Sequence, residues 1–326
     1  MFTVPPEVLS SILLYAIQED DPLGLDLSWS SRSLLSSVCR HWRAVALETP
    51  AFWVEGFSLR DRDMLPAMLV RSKSSPFSVA IDVTADEWYN TSSKTLKSVM
   101  SPQRLRRLRI TRSNETAGAS RMRDCIGFIP SGAPCLETLF LSSPHTGIRI
   151  PSCVMSSSMP ALRHIHISSC TVRWSGVPEV GSILTNLETL SLQKINPPIP
   201  WSSLLCTLTA SPKLSEIKLI GALPAGPAPD SPTLHAMQLN HLTRMELQDG
   251  ELPISWLLNH LDLPNLSHGS IDCTGIVHGT PSSASRSTRL AIILNSFGVG
   301  SQATSNIPCD TLTIAWRTDR GLNGRR

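Results

Sequence analysis

The chain has 326 residues, of which 41% are hydrophobic, 17% charged and 5% aromatic. This size and composition exclude an intrinsically disordered chain, a collagen and a disulfide-stapled miniprotein, and they fit one small module plus an elongated one. The net charge of +3, from 29 basic and 26 acidic residues, is too small to indicate a nucleic-acid partner.

The sequence shows no sign of secretion or of membrane insertion. No stretch approaches 18 uncharged apolar residues, which argues against a transmembrane helix. Met1 to Leu9 lacks a basic start and carries Glu7 where the apolar core of a secretory leader would lie. We therefore expect a cytoplasmic or nuclear protein with no membrane partner.

The eight cysteines should be reduced thiols in such a compartment. No two of them lie within five residues of each other, which excludes a Cys-x-x-Cys zinc or redox motif. We expect them to act as small buried apolar side chains.

The first 58 residues predict a small helical module. Pro5 and Pro6 precede an apolar stretch that ends at Ile17, and proline favours the first turn of a helix because the N–H it lacks would have no acceptor there. A second helix is predicted from about Ser33 to Ala46, because its apolar residues recur at helical spacing. So small a unit buries little surface and often needs a partner.

From about residue 100 the sequence repeats the pattern Leu-x-x-Leu-x-Leu. Successive starts lie 31, 26, 25, 27 and 28 residues apart, within or just beyond the period of leucine-rich repeats. Each unit predicts a short strand whose apolar face is covered by its neighbours. Segments between strands, such as Trp201 to Thr209, would form a short return helix or an irregular turn. The six matches are Leu105/Leu108/Ile110, Leu136/Leu139/Leu141, Leu162/Ile165/Ile167, Leu187/Leu190/Leu192, Leu214/Ile217/Leu219 and Leu242/Met245/Leu247.

These patterns predict an α/β protein with two parts. Residues 1–58 would form the helical module, and residues 59–326 an irregular leucine-rich-repeat solenoid with a parallel sheet on its concave face. Residues 59–100 would cap its first end, because apolar residues alternate from Phe77 to Val83 as in a strand. Residues 266–326 would form a decayed repeat that begins at Leu266 and a C-terminal cap.

The N-terminal module resembles the F-box. The matching residues are Val4-Pro5-Pro6-Glu7-Val8-Leu9, then Ile12 and Leu34, then Val38-Cys39-Arg40-His41-Trp42-Arg43. The segment from Val38 to Trp53 is especially similar to the F-box-like proteins abundant in mushroom-forming (basidiomycete) fungi. Leucine-rich repeats are a usual companion of this module.

The resemblance implies a non-catalytic substrate receptor of an SCF (cullin–RING) ubiquitin ligase. In that family the F-box docks on a Skp-type adaptor, and through it on a cullin, while the second domain holds a protein substrate. We expect no cofactor and no catalytic or metal-binding residue in this chain. Carried over by motif position, the residues that would form or support the adaptor-binding face are Val4, Pro5, Pro6, Leu9, Ile12, Leu34, Val38, Cys39 and Trp42.

In each repeat strand, alternation sends the third and fifth positions of the pattern outward, Thr138 and Ser191 among them. These residues would line the concave face, where solenoids usually bind. Arginines are dense from Arg104 to Arg123, and guanidinium groups match phosphate or carboxylate oxygens, although a solvated strand face is the more common explanation of such a run. The outward residues predicted to contact a substrate are Arg107, Arg109, Phe140, His164, His166, Lys218 and Arg244.

Two further patterns imitate cofactor sites. His164 and His166 share one side of a strand, but the local sequence supplies no third metal ligand. Gly298-Val299-Gly300 follows an apolar run, but Pro308 interrupts the helix that a dinucleotide fingerprint needs. Two alternatives stay open: a leucine-rich-repeat scaffold without ligase coupling, and an enzyme with an unrecognised site.

Overall fold

The computed structural model describes residues 4–17, 29–54, 57–58, 64–83, 97–112, 119–129, 132–144, 148–150, 159–174, 184–224, 237–275 and 311–318. The chain divides into two compact units, Met1–Leu162 and Arg163–Arg326. Each is mixed α/β, with strands that pair in parallel, which confirms the predicted fold class at this level. The assignment of an F-box, of a solenoid and of a boundary at residue 58 stays a prediction.

The first unit opens with three α-helices. They are α1 (Pro6–Ala16), α2 (Trp29–Ser37) and α3 (Arg40–Glu48), and α3 packs against both of the others. Glu7 lies in the first turn of α1, where its carboxylate suits the positive end of the helix dipole. A 3-10 helix, Pro50–Trp53, follows and buries two aromatic side chains completely, and the indole N–H of Trp53 donates to the carbonyl of Ala46 at 2.7 Å.

The second predicted helix is two helices in the structure. We predicted one helix from about Ser33 to Ala46, but α2 ends at Ser37 and Cys39 has an extended backbone, with φ −157° and ψ 173°. The prediction was wrong because the apolar spacing continues through the break and neither proline nor glycine marks it.

The first four strands of the first unit pair in sequence order. The further elements of this unit are β1 (Phe57–Ser58), α4 (Leu65–Arg71), β2 (Phe77–Asp82), β3 (Leu105–Thr111), α5 (Ala119–Gly127), β4 (Thr138–Ser142) and β5 (Ile148–Ile150). β1 pairs with β2, β2 with β3 and β3 with β4, all in parallel. The alternation predicted from Phe77 to Val83 is confirmed, because its four apolar residues are buried.

The second unit repeats strands at the positions that the leucine pattern predicts. Its elements are β6 (His164–Ser168), β7 (Cys170–Val172), β8 (Thr189–Gln193), α6 (Trp201–Thr209), β9 (Glu216–Ile220), β10 (Met237–Gln238), β11 (Arg244–Asp249), α7 (Glu251–Asn259), β12 (Leu261–Asp262), β13 (His268–Gly275) and β14 (Thr311–Thr318). β6, β8, β9, β11, β13 and β14 pair in that order, all parallel, while β10 pairs with β12. The unit predicted to begin at Leu266 therefore contains a strand, β13.

Identical register across these strands sorts side chains by position. Ile165, Leu190, Ile217 and Met245 align in one row and are buried. The sixth position of the pattern forms a second buried row in the same way. Burying each such side chain is worth roughly 1.5–3 kcal/mol, so these rows hold the unit together.

Three successive units end in the same left-handed turn. Ser169, Lys194 and Gly221 occupy the eighth position of their repeats and have φ angles of 53°, 49° and 54°. The backbone N–H of each donates to a carbonyl of the next strand, over 2.6 to 2.8 Å. Only Gly221 reaches this region without a steric cost, because it has no Cβ.

A ladder of hydroxyl groups closes the opposite end of these strands. At the second repeat position, the hydroxyl of Ser215 donates to the carbonyl of Glu188 at 2.9 Å, Thr243 to that of Ser215 at 3.2 Å, and Ser267 to that of Thr243 at 3.0 Å. Backbone N–H groups bind the same carbonyls. Donors at this end therefore point to the preceding unit, whereas the N–H groups of the left-handed turns point to the following one.

Candidate functional site

Helix α1 carries two adjacent apolar stripes with different surroundings. Leu9 and Leu13 are fully buried, whereas Val8 and Ile12 are 50% and 44% exposed, and Val4, just before the helix begins, is 42% exposed. Residues four apart lie on one side of a helix. One stripe therefore packs into the module, and the other, at the same spacing, faces outward.

Further large apolar side chains are exposed around the break between α2 and α3. Leu34 is 70% and Val38 60% exposed, and Tyr15 extends the outer stripe of α1 at 79%. His41 Nε2 lies 2.9 Å from the carbonyl oxygen of Val4. This hydrogen bond places Val4 beside the first turn of α3, which begins two residues after Val38.

The residues assigned to the adaptor by motif position do not share one environment. Leu9 is fully buried, so its side chain can support an adaptor-binding face only from inside the core, and Trp42 is half-buried. The exposed members are Val4, Pro5, Pro6, Ile12, Leu34, Val38 and Cys39. Motif matching missed Val8 and Tyr15 as surface residues, although their spacing from Val4 and Ile12 was a usable signal.

The arginines predicted on the sheet of the first unit have mixed roles. The Arg109 guanidinium lies 5.1 Å from the ring centroid of Phe140, a cation–π contact that occupies both predicted residues. Arg104 serves the fold, because its Nη2 donates to Ser72 Oγ at 2.6 Å and its Nε to a backbone carbonyl. Arg107 is half-buried on the same strand.

One further arginine of this strand is affected by burial and charge. Burial lowers the pKa of Arg106, the neighbouring Arg107 lowers it further, and Glu137 opposes both effects. Arg104 and Arg109 are committed to contacts within the unit, so Arg107 is better placed than either to meet a ligand.

The sheet of the second unit presents two rows of outward residues. The first row is His164, Thr189, Glu216, Arg244 and His268, and the second is His166, Ser191, Lys218, Glu246, Ser270 and Thr313. Arg244 and His268 are exposed, while His164, His166 and Lys218 are partly exposed.

Two of the outward positions are buried instead. Thr138 is only 6% exposed in the first unit and Ser191 only 5% in the second, so the prediction was wrong for them. Alternation along a strand predicts the face to which a side chain points, but not how far solvent reaches it. The short Ser191 side chain lies between the longer side chains of His166 and Lys218 on the adjacent strands. Short residues in a row of long ones are covered by their neighbours.

Neutral and charged pairs already occupy part of these rows. His164 Nδ1 lies 3.1 Å from Thr189 Oγ1, and Lys218 Nζ lies 2.6 Å from Glu246 Oε2. Within the described residues, no group of three or more His, Cys, Asp or Glu side chains is arranged to hold a metal ion.

A cavity of about 320 Å³ opens on this face of the second unit. Glu216, Arg244, Glu246, His268 and Ser270 border it, together with Thr313. Sequence reasoning selected Arg244 as a substrate contact but missed Glu216 and His268. The leucine pattern places Glu216 on this face, whereas His268 was hidden because glycine replaces the fourth repeat residue at position 269.

The cysteines differ in exposure. Cys39 and Cys206 are exposed, which contradicts the expectation that all are buried. Burial raises the pKa of Cys170 to about 12, and burial, with Glu251 and Asp272 nearby, raises that of Cys273 to about 12. These two thiols stay protonated and inert near neutral pH.

Comparisons with known proteins give no match: no family model matches the chain, and no curated protein is significantly similar to it in sequence. Among the described helices, none combines the length and apolar character needed to cross a membrane. The resemblance to the F-box therefore rests on the motif residues alone, and the geometry of the two surfaces must support any functional conclusion.

Proposed function

We propose that this chain is a non-catalytic substrate receptor of an SCF (cullin–RING) ubiquitin ligase. Helices α1 to α3 would dock on a Skp-type adaptor, and the outward face of the sheet would bind a protein substrate. The observation that carries the proposal is a set of exposed apolar side chains: Val8 and Ile12 on the outer side of α1, Val4 just before it, and the more exposed Leu34 and Val38.

An exposed apolar stripe on a small helical module has a physical meaning. Covering apolar surface gains about 25 cal/mol per Å², and contiguous apolar patches on soluble proteins mark interaction sites. Side chains four residues apart on one side of a helix are the anchors used when a helix binds in a groove. The position of this stripe within the residues that resemble the F-box favours the Skp-type adaptor as its partner.

The mechanism would be proximity. The first unit would hold the chain on the adaptor and cullin, while the sheet holds the substrate. This tethering raises the effective concentration of a substrate lysine near the ubiquitin-loaded enzyme. The chain itself would make and break no covalent bond, and the ligase activity would belong to the complex in the cytoplasm or nucleus.

A second candidate is a protein-binding scaffold without ligase coupling. The complete burial of Leu9 favours it, because a motif residue used in the module's own core is also what a simple helical cap would show. The two candidates differ in one property, whether the outer stripe of α1 binds an adaptor.

The test is co-expression with a Skp-type adaptor followed by affinity capture. The wild-type chain is compared with Val8→Asp/Ile12→Asp, and with Leu252→Asp as the matched control, since Leu252 is an apolar residue of α7 that is 82% exposed. Covering the exposed half of Val8 and Ile12 is worth about 1.5–3 kcal/mol together, so their loss should weaken capture roughly 10- to 100-fold.

The control variant should capture the adaptor as the wild type does. If the wild-type chain is folded by circular dichroism but does not retain the adaptor, the ligase assignment fails and the scaffold stands. If both variants retain it equally, the adaptor binds elsewhere and the α1 stripe is not its site.

A further inference from the structure

We infer that the cavity bordered by Glu216, Arg244 and His268 binds a peptide segment that carries a basic and an acidic side chain two residues apart. This inference deepens the proposed function by naming a substrate class, and it rests on that function's claim that the sheet binds protein. It does not depend on adaptor docking, which belongs to the first unit.

Among the described residues at this face, two charged side chains form an ion pair with each other and two others form none. Lys218 lies 2.6 Å from Glu246 and neutralises it. Glu216 and Arg244 are register partners on β9 and β11, yet neither has an ion-pair partner within the described part of the chain. The cavity therefore offers one carboxylate and one guanidinium side by side.

His268 adds a directed acceptor on the far side of Arg244, in the same row. The Ser267 hydroxyl donates to the carbonyl of Thr243 at 3.0 Å, and it lies 2.9 Å from His268 Nδ1. With the hydroxyl proton directed at Thr243, the Nδ1–H tautomer of His268 donates to Ser267 Oγ. In that tautomer Nε2 is an acceptor, suited to a ligand ammonium or guanidinium group.

These groups define the chemistry of the ligand. Glu216 and His268 accept from a basic group, whereas Arg244 donates to a carboxylate, for which its planar fork is well matched. Residues two apart in an extended peptide point to the same side and lie about 7 Å from each other. Glu216 and Arg244 stand on neighbouring strands, whose backbones are about 4.8 Å apart, so two long peptide side chains can bridge the difference. Lysine or arginine two residues from aspartate or glutamate can therefore reach both groups at once. A cavity of about 320 Å³ has room for such side chains but not for a folded element.

A displayed library of short random peptides, selected on the immobilised full chain, tests the inference. We expect enrichment of peptides with a basic and an acidic residue two apart. Glu216→Gln should lose the preference for the basic residue only, and Arg244→Gln that for the acidic residue only. Arg173→Gln, an exposed arginine outside the cavity, should select like the wild type. For one enriched peptide made synthetically, each cavity variant should bind about 10-fold more weakly in fluorescence polarisation.

The inference is overturned if the library is not enriched, if the enriched peptides lack the charge pair, or if both cavity variants keep the wild-type preferences. A chain that captures the adaptor but selects no such peptide refutes this inference alone. Conversely, selection of charge-paired peptides without adaptor capture refutes the ligase assignment and leaves this binding site in place.

Discussion

Gly221→Ala and Lys194→Gly, at equivalent turns of the second unit, should change the free energy of unfolding in opposite directions. Gly221 and Lys194 both occupy the eighth repeat position, with φ angles of 54° and 49°. A Cβ at Gly221 would have the Cα of Lys194 as its nearest neighbour, at 3.8 Å, which is ordinary contact. Any cost of Gly221→Ala must therefore come from the backbone conformation and not from a clash.

The size of the effect follows from two terms. A residue with a Cβ loses about 1–2 kcal/mol in the left-handed region, whereas replacing glycine by alanine gains about 0.4–1 kcal/mol by restricting the unfolded chain. Gly221→Ala should therefore lower the free energy of unfolding by about 1 kcal/mol. Lys194→Gly reverses both terms at an exposed side chain and should raise it by about 1 kcal/mol.

Urea unfolding measures both changes, followed by tryptophan fluorescence, with hydrogen exchange on second-unit peptides to assign the transition. Gly127→Ala is the control, because Gly127 lies outside the left-handed region and nothing is within 4 Å of its added Cβ. That substitution should be neutral or stabilising. Loss of stability in Lys194→Gly, or none in Gly221→Ala, would show that this turn does not strain a backbone that carries a Cβ.

Three further outcomes are expected. Leu9→Ala should lower the free energy of unfolding by roughly 2–5 kcal/mol and Val8→Ala by less than about 1 kcal/mol in urea unfolding, because only Leu9 is in the core; equal losses would contradict the two-stripe description of α1. Since the pKa of Cys170 is raised from 9.0 to about 12, the unfolded thiol ionises first as pH rises. Cys170 alone should lower the stability above pH 9 by up to roughly 1.4 kcal/mol per pH unit, and Cys170→Ala should have a shallower slope in unfolding titrations; an unchanged slope would refute the assignment. Iodoacetamide at neutral pH should modify the exposed Cys39 well before Cys170, as mapped by mass spectrometry, and the reverse order would contradict their burial.

The strands could be predicted from sequence because their signal is local and repeated. The spacing of Leu187, Leu190 and Leu192 is enough to place β8 and its buried face, since each side chain meets the same position of the neighbouring unit. The pattern survived the replacement of the fourth residue by Gly269 in β13, because the flanking positions kept their register. What the pattern left open was the segment Trp201 to Thr209, which is helix α6.

Features that depend on distant residues were not predictable in this way. The break at Cys39 reflects packing of α3 on two other helices, to which no single residue is a guide. The cavity depends on Glu216, Arg244 and His268, which are 28 and 24 residues apart and meet only through strand register. Side-chain length also decides access, as the covered hydroxyl of Ser191 shows.

The opposed directions of the hydroxyl ladder and the left-handed turns bear on how this chain can be shortened. At one end of each strand the donors reach back to the preceding unit, and at the other end they reach forward. A cut between any two of these units therefore leaves donors and acceptors on both new edges, and each edge is complementary to the other. The unpaired backbone N–H and C=O groups of such an exposed edge strand form hydrogen bonds with the edge strand of another molecule. A shortened second unit should self-associate unless its last strand is followed by a covering segment.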